Sequence, residues 1–258
     1  KTTCARIFAK TINCTSLTPD HEACNECDAC LAFKDNRSFN IHELDAASNN
    51  HVEDIKNLID QVRVPPQTGK YSVFIIDEVH MLSQAAFNAF LKTLEEPPAY
   101  AIFILATTEK HKILPTILSR CQVFDFHRIQ VRDIITELQL ICDKENITAE
   151  NSALNIIAQK ADGAMRDALS IFDQVVSFCG NQVTYQQVID HLNVLDYEHY
   201  FKLTDAFLTG AYKQALLTFN QILEEGFDGH NFIAGLSTHF RDLLVSKDPQ
   251  TIELLEVG

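Results

Sequence analysis

No stretch of this chain approaches the roughly 20 consecutive apolar residues that a membrane-spanning helix needs, so no membrane segment is expected. The first residues lack the succession of basic, apolar and small residues that marks a secretory signal. Basic side chains are in deficit: 21 Lys and Arg stand against 35 Asp and Glu, for a net charge of −14. The deficit is uneven, with 12 against 16 in residues 1–127 and 9 against 19 in residues 128–258. A broad cationic footprint is therefore missing, and any nucleic-acid contact must be local. The more acidic second half suits either a protein-facing surface or a merely solvated one. No internal repeat or low-complexity segment stands out. What these absences leave is a chain of 258 residues, 46% hydrophobic, with material for more than one folded domain. The expected location is the cytoplasm.

What is present is concentrated at residues 72–81, SVFIIDEVHM. Val73, Phe74, Ile75 and Ile76 form an unbroken apolar run, the pattern of a parallel strand buried on both faces. The run ends in two adjacent carboxylates, Asp77 and Glu78. Open α/β sheets bind their ligands at that end of their strands. One carboxylate there can hold Mg²⁺ while its neighbour orients a water, as phosphoanhydride hydrolysis requires. Taken alone, the pair also fits an ordinary acidic turn.

The chain opens KTTCARIFAKTINC, without an initiator Met. Ala5, Phe8, Ala9 and Ile12 suit one face of an amphipathic helix. A Lys-Thr pair at its first turn matches the end of a G-x-x-x-x-G-K-[ST] phosphate-binding loop, just past the glycines. Lys1 and Thr2 are therefore expected to be the last residues of such a loop. The C-terminus carries no evident stop and is expected to be an internal cut as well.

Cys14, Cys24, Cys27 and Cys30 cluster with spacings suited to a tetrahedral Zn²⁺. Four thiolates would leave no open position, which indicates a structural metal rather than a catalytic one. A redox pair from Cys24 and Cys27 is the alternative. Cys4, Cys121, Cys142 and Cys179 are isolated and are expected to be small core residues.

Along the rest of the first half, strands are expected at residues 40–44, 71–76, 101–106 and 121–126. Helices are expected around residues 52–62, 87–94 and 113–118. Strongly apolar strands alternating with helices indicate a doubly wound α/β domain. From about residue 128 only helical periodicity recurs, in two groups bridged by residues 184–194. His80 and His111 have no partner at ligand spacing and receive no role. Residues 44–50 could turn backbone N–H groups toward a DNA phosphate.

Taken in order, Lys1-Thr2, the four cysteines, FIIDEVHML, LEEPP, ATT, LSRC and GAMRDALS resemble the gamma/tau subunits of the bacterial DNA polymerase III clamp loader, which are AAA+ ATPases. The likeness runs over essentially the whole chain; the cysteine module and Ser119-Arg120-Cys121 are its most specific parts. It implies ATP, Mg²⁺ and Zn²⁺ as cofactors. Lys1 and Thr2 would contact phosphates and Mg²⁺, Asp77 would bind Mg²⁺, and Glu78 would be the base or water-orienting group. Thr107 or Thr108 would sense the γ-phosphate. Arg120 would be an arginine finger acting on a neighbouring subunit's ATP, and Arg166 would be the sensor of a lid domain. Cys14, Cys24, Cys27 and Cys30 would hold zinc. The glycines of the phosphate loop are missing, which leaves its cradle undefined. Read singly, Arg120 is an ordinary surface arginine, Arg166 fits a helix-start pair with Asp162 and Asp167, and Thr107-Thr108 a strand end.

The organisation implied is an AAA+ core over residues 1–127 with a zinc module at 14–30, a helical lid over 128–195 and a helical collar over 196–258. The expected partners are other clamp-loader subunits in a hetero-oligomer, the sliding clamp, primer-template DNA and the polymerase holoenzyme, with no membrane. Two alternatives remain: a non-hydrolysing, delta-prime-like scaffold subunit, and another AAA+ DNA-remodelling motor such as a branch-migration helicase. The cysteine module counts against the last.

Overall fold

The computed structural model describes residues 1–35, 37–66, 69–192, 194–224 and 226–251. The final residues, expected to carry no stop, lie outside the described residues, as does residue 193 of the expected bridge. The chain divides into two units, Lys1–Phe126 and His127–Gly258.

In the first unit α1 (Thr2–Asn13) and the short α2 (Asp28–Lys34) precede an alternating series. It runs β1 (Ile41–Asp45), α3 (Val52–Val62), β2 (Ser72–Asp77), α4 (Gln84–Glu95), β3 (Ala101–Leu105) and α5 (Pro115–Leu118). The strands are parallel, in the order β1-β2-β3. The central strand is sealed on both faces, as its unbroken apolar run requires: Val73, Phe74, Ile75 and Ile76 are 0–1% exposed. Strand alternation divides them. Val73 and Ile75 pack on Ala5 and Ala9 of α1, while Phe74 and Ile76 meet Ile55, Leu58, Phe87, Phe90 and Ile117 of α3, α4 and α5. Register aligns three rings, with Phe74 stacked 4.7 Å from His42 and 5.4 Å from Phe103. Burial lowers the pKa of His42.

Helix starts are locally encoded. His51 N–H donates to Asp54 Oδ2 at 3.1 Å ahead of α3, and Ser83 Oγ accepts from Ala86 N–H at 3.3 Å at the start of α4. These bonds satisfy donors that a helix leaves without intrahelical partners.

Several expectations are corrected. The apolar strand expected at residues 101–106 forms as β3 but is half-buried throughout; among the described residues its one partner is β2. Residues 121–126 form no strand. A strand needs a hydrogen-bonded neighbour, no described strand runs beside them, and Phe124 and Phe126 are exposed. Phe8 is also exposed, because α1 meets the sheet through its small Ala5 and Ala9. Of the isolated cysteines only Cys142 is buried, while Cys4 is exposed.

The second unit contains α6 (Val131–Glu145), β4 (Thr148–Ala149), α7 (Asn151–Lys160), α8 (Met165–Cys179), β5 (Gln182–Val183) and α9 (Tyr185–Leu192). It continues with α10 (Tyr197–Leu208), α11 (Tyr212–Glu224) and α12 (Gly229–Val245). The parallel pair β4–β5 was not expected, and it is two residues long in each strand. One core gathers Ile134, Leu138, Leu154, Ile157, Phe172 and Val175. A separate one gathers Leu195, Tyr200, Leu203, Ile222 and Phe232. Gly163, ahead of α8, has φ +76°, and a Cβ there would lie 2.5 Å from Arg128 Cβ. No described helix is long and apolar enough to cross a membrane.

Candidate functional site

The carboxyl ends of parallel strands share one edge of the sheet, and β2 delivers Asp77 and Glu78 there. The start of α1 reaches the same edge. Thr2 Oγ1 donates to Asp77 Oδ2 at 2.7 Å, and Lys1 Nζ donates to the Thr107 carbonyl at 2.6 Å. Thr107 and Thr108 follow β3 after Ala106. Six of the expected site residues are thus brought together from three segments.

Glu78 has φ +45° and ψ +43°, a left-handed conformation rare for a residue with a Cβ. Such strain costs of order 1–3 kcal/mol and persists where surrounding structure fixes it. Here the fixing contacts are polar. Glu78 N–H donates to Asp77 Oδ1 at 3.0 Å, and Glu78 Oε2 accepts from Thr108 Oγ1 at 3.1 Å. The Thr107 hydroxyl oxygen is turned inward, accepting from Glu109 N–H at 3.0 Å and meeting His80 Nδ1 at 3.0 Å. Thr108 is exposed.

His80 and Glu109 belong to this cluster although the sequence reading gave them no part. His80 Nδ1 lies 3.3 Å from Glu78 Oε2, and Nε2 lies 3.2 Å from Glu109 Oε2. Their proximity is invisible in sequence, since it spans the whole of α4 and β3. The only local signal was a histidine just after the acidic pair.

The oxygens of Thr2 and Asp77 are separated as neighbouring ligands of one Mg²⁺ would be: octahedral coordination at 2.0–2.1 Å spaces adjacent oxygens by about 3 Å. The residues present therefore fit that ion.

Arg120 stands apart from this cluster. It donates to Glu95 Oε1 at 2.9 Å and to the Thr116 carbonyl at 2.7 Å, and its side chain is 38% exposed. Arg166 is exposed on the first turn of α8, in the second unit. Asp162, a partner considered for it, pairs with Arg128 instead. The turn after β1 is closed on itself: Ala47 N–H is taken by Asp45 Oδ1 at 2.9 Å and Asn49 N–H by the Asp45 carbonyl at 3.0 Å. Those two N–H groups are thus not directed at a DNA phosphate.

The four clustered cysteines also converge. Cys14 caps the end of α1, Cys27 precedes α2 and Cys30 is buried within it. Their sulfurs all lie within 4.8 Å of one another. Cys14 Sγ is 3.5 Å from that of Cys24 and 3.9 Å from that of Cys27. A ZnS₄ tetrahedron with bonds near 2.3 Å has edges of about 3.8 Å, so the donor set fits zinc. The Thr15 backbone holds the Cys27 thiol down at about 5. A backbone bond from Cys24 lowers that of Cys14, while burial pushes the Cys30 thiol up to about 12. The module packs against α1, with the Arg6 guanidinium 5.3 Å and Lys10 Nζ 5.9 Å from the centre of the Phe33 ring.

Residues 1–130 match the family described as DNA polymerase III, delta subunit. Residues 133–181 match that of the DNA polymerase III clamp loader subunit, ATPase lid domain. DNA polymerase III subunit tau of Bacillus subtilis is 45% identical over 253 residues, which are 98% of this chain and 45% of that protein. DNA polymerase III subunit gamma of Buchnera aphidicola subsp. Baizongia pistaciae is 36% identical over 255 residues, 98% of this chain and 68% of the relative. The chain thus spans less than half the length of the Bacillus relative. Among solved structures, a single-residue variant of RuvB of Thermotoga maritima superposes with a TM-score of 0.51 at 16% identity, covering 69% of this chain and 62% of that one. That likeness carries the fold alone, an α/β parallel sheet followed by lid helices.

Proposed function

The chain belongs to the gamma/tau family of DNA polymerase III subunits, and on that footing we propose that it is the ATP-hydrolysing motor of a clamp loader. It would act with other subunits in a hetero-oligomer, in the cytoplasm, to load a sliding clamp onto primer-template DNA for the polymerase holoenzyme. ATP binding would hold the assembly in a clamp-opening state, and hydrolysis on contact with primed DNA would release the clamp. Polymerisation would belong to a partner subunit.

The observation that carries this reading is the gathering of Lys1, Thr2, Asp77 and Glu78 at one edge of the sheet, with Thr2 Oγ1 2.7 Å from Asp77 Oδ2. Lys1 would exchange its bond to the Thr107 carbonyl for the phosphates of ATP. Thr2 and Asp77 would hold Mg²⁺, which when bound neutralises charge on those phosphates. Glu78, held by Thr108 at 3.1 Å, would orient the attacking water and accept its proton. Thr108, exposed and bonded to Glu78, is better suited than Thr107 to register the γ-phosphate. Arg120 would serve ATP on the neighbouring subunit, and Arg166 would report nucleotide state to the lid. The AAA+ core would comprise residues 1–127, the lid 128–195 and a collar 196–258. Cys14, Cys24, Cys27 and Cys30 would hold a structural zinc, supported by their convergent sulfurs.

The test is Glu78→Gln in the full-length protein. ATP binding is expected to persist while turnover is abolished; unchanged turnover would remove Glu78 from the mechanism. A second reading has one observation behind it, the match of residues 1–130 to a family described as a delta subunit. It is a scaffold subunit that does not hydrolyse ATP, and absence of turnover by the full-length protein in its native assembly would favour it.

A further inference from the structure

We propose that His80 is a positioning residue of the hydrolytic site, its imidazole bridging the Glu78 carboxylate and the turn at residues 107–109 and so fixing where that carboxylate stands. The inference rests on the ATPase reading above. The ring is 8% exposed and has polar neighbours on both nitrogens. Nε2 faces Glu109 Oε2 at 3.2 Å. A carboxylate only accepts, so the bridge needs a hydrogen on each nitrogen: Nε2–H donates to Glu109, and Nδ1–H points at Glu78 Oε2 and Thr107 Oγ1. Nδ1 is shared by Thr107 Oγ1 at 3.0 Å and Glu78 Oε2 at 3.3 Å.

The same Glu78 oxygen meets Thr108 Oγ1 at 3.1 Å and Thr108 N–H at 3.4 Å. One oxygen is therefore caged between the histidine ring and the tip of β3. The cage has its own anchor. Glu109 N–H closes the turn onto Thr107 Oγ1 at 3.0 Å, and Glu109 pairs with Lys112. The Lys112 bond holds the Glu109 carboxyl below its usual range, so the partner of Nε2 stays an anion at neutral pH. His80 follows the left-handed Glu78 by two residues. Tying its ring to a turn 27 to 29 residues downstream fixes the strained bend to the sensor strand. A histidine kept only for packing has no need of polar partners from two chain segments on opposite ring edges. A water-orienting carboxylate does need such a frame, because misplacement by about 1 Å can cost about 10²-fold in rate.

The experiment uses the full-length protein in its native assembly, with ATP as the probe. Wild type and Glu78→Gln come first: turnover by the one and ATP binding without turnover by the other establish the reading beneath the inference. His80→Ala is then expected to lower kcat by about ten- to a hundredfold with ATP affinity unchanged. His80→Asn, which restores a polar nitrogen near the Nδ1 position, is expected to recover more of kcat than His80→Gln, which reaches toward Nε2. Should His80→Ala fail to fold, Glu109→Gln tests the same bridge through a smaller loss of kcat at unchanged affinity. Wild-type kcat in His80→Ala or in Glu109→Gln overturns the inference while the ATPase reading stands. So does a proportional loss of affinity and kcat, or a His80→Asn protein no better than His80→Ala. An assembly unable to hydrolyse ATP overturns both together.

Discussion

Asp77 and Glu78 are adjacent in the chain, yet their side chains have different partners. Asp77 faces the Thr2 hydroxyl at 2.7 Å, whereas Glu78, turned by its positive φ, faces Thr108 and His80. In the proposed ATPase, the backbone reversal between them would divide cation binding from water activation. The cysteines divide in a similar way. A backbone bond from Thr15 favours the Cys27 thiolate, while burial favours the neutral thiol at Cys30. Binding of the proposed zinc would therefore displace the Cys30 proton, since only the thiolate ligates. About one zinc per chain is expected by elemental analysis. Its calorimetric binding enthalpy should vary with the ionisation enthalpy of the buffer; a buffer-independent enthalpy, or a folded metal-free protein, would contradict the assignment. Sequence spacing alone picked out the four cysteines whose sulfurs converge. It could not reveal that Cys30 alone among them is buried, because burial is conferred by the packing around α2.

Among the elements, β2 carries the first unit. Its side chains alternate between α1 on one face and α3, α4 and α5 on the other, so losing one of them leaves a cavity that neither layer can close. Phe74→Ala is expected to cost about 3–5 kcal/mol, read by urea unfolding; a loss below about 1 kcal/mol would show that the strand is not the centre of that core. In the last helices the critical residue is one without a side chain. A Cβ on Gly235 of α12 would overlap the hydroxyl of Tyr200 on α10, whose ring is already stacked 5.6 Å from Phe232 and 5.7 Å from His239. Gly235→Ala should destabilise by about 1–3 kcal/mol, as overpacking does, and an unchanged or raised melting temperature would show that Tyr200 has room to move. The three strands of the first unit were legible in the sequence to within a residue or two, whereas the two-residue pair β4–β5 was not. Residues 121–126 have strand composition without a strand's partner, which no local pattern discloses.

At the scale of the molecule, Arg120 is tied to Glu95 on the surface of its own unit. A surface pair of this kind is worth only about 0–1 kcal/mol, so the guanidinium can leave it for a stronger anion on a neighbouring subunit. Arg120→Ala should leave ATP binding by the isolated full-length protein intact and depress hydrolysis in the assembly by about 10³-fold or more. Equal defects in both settings would contradict a role between subunits. The two compact units keep three separate main cores: one around β2, one around α6 to α9 and one around α10 to α12. Chain order alone determined the alternation of strand and helix, the acidic pair at a strand tip and the four-sulfur set, because hydrophobic period, turn chemistry and ligand spacing act over short distances. Tertiary structure alone decided that His80 and Glu109 join Glu78, that Arg120 rests on Glu95, and that residues 121–126 stay unpaired, because each outcome depends on groups that meet only when distant segments pack.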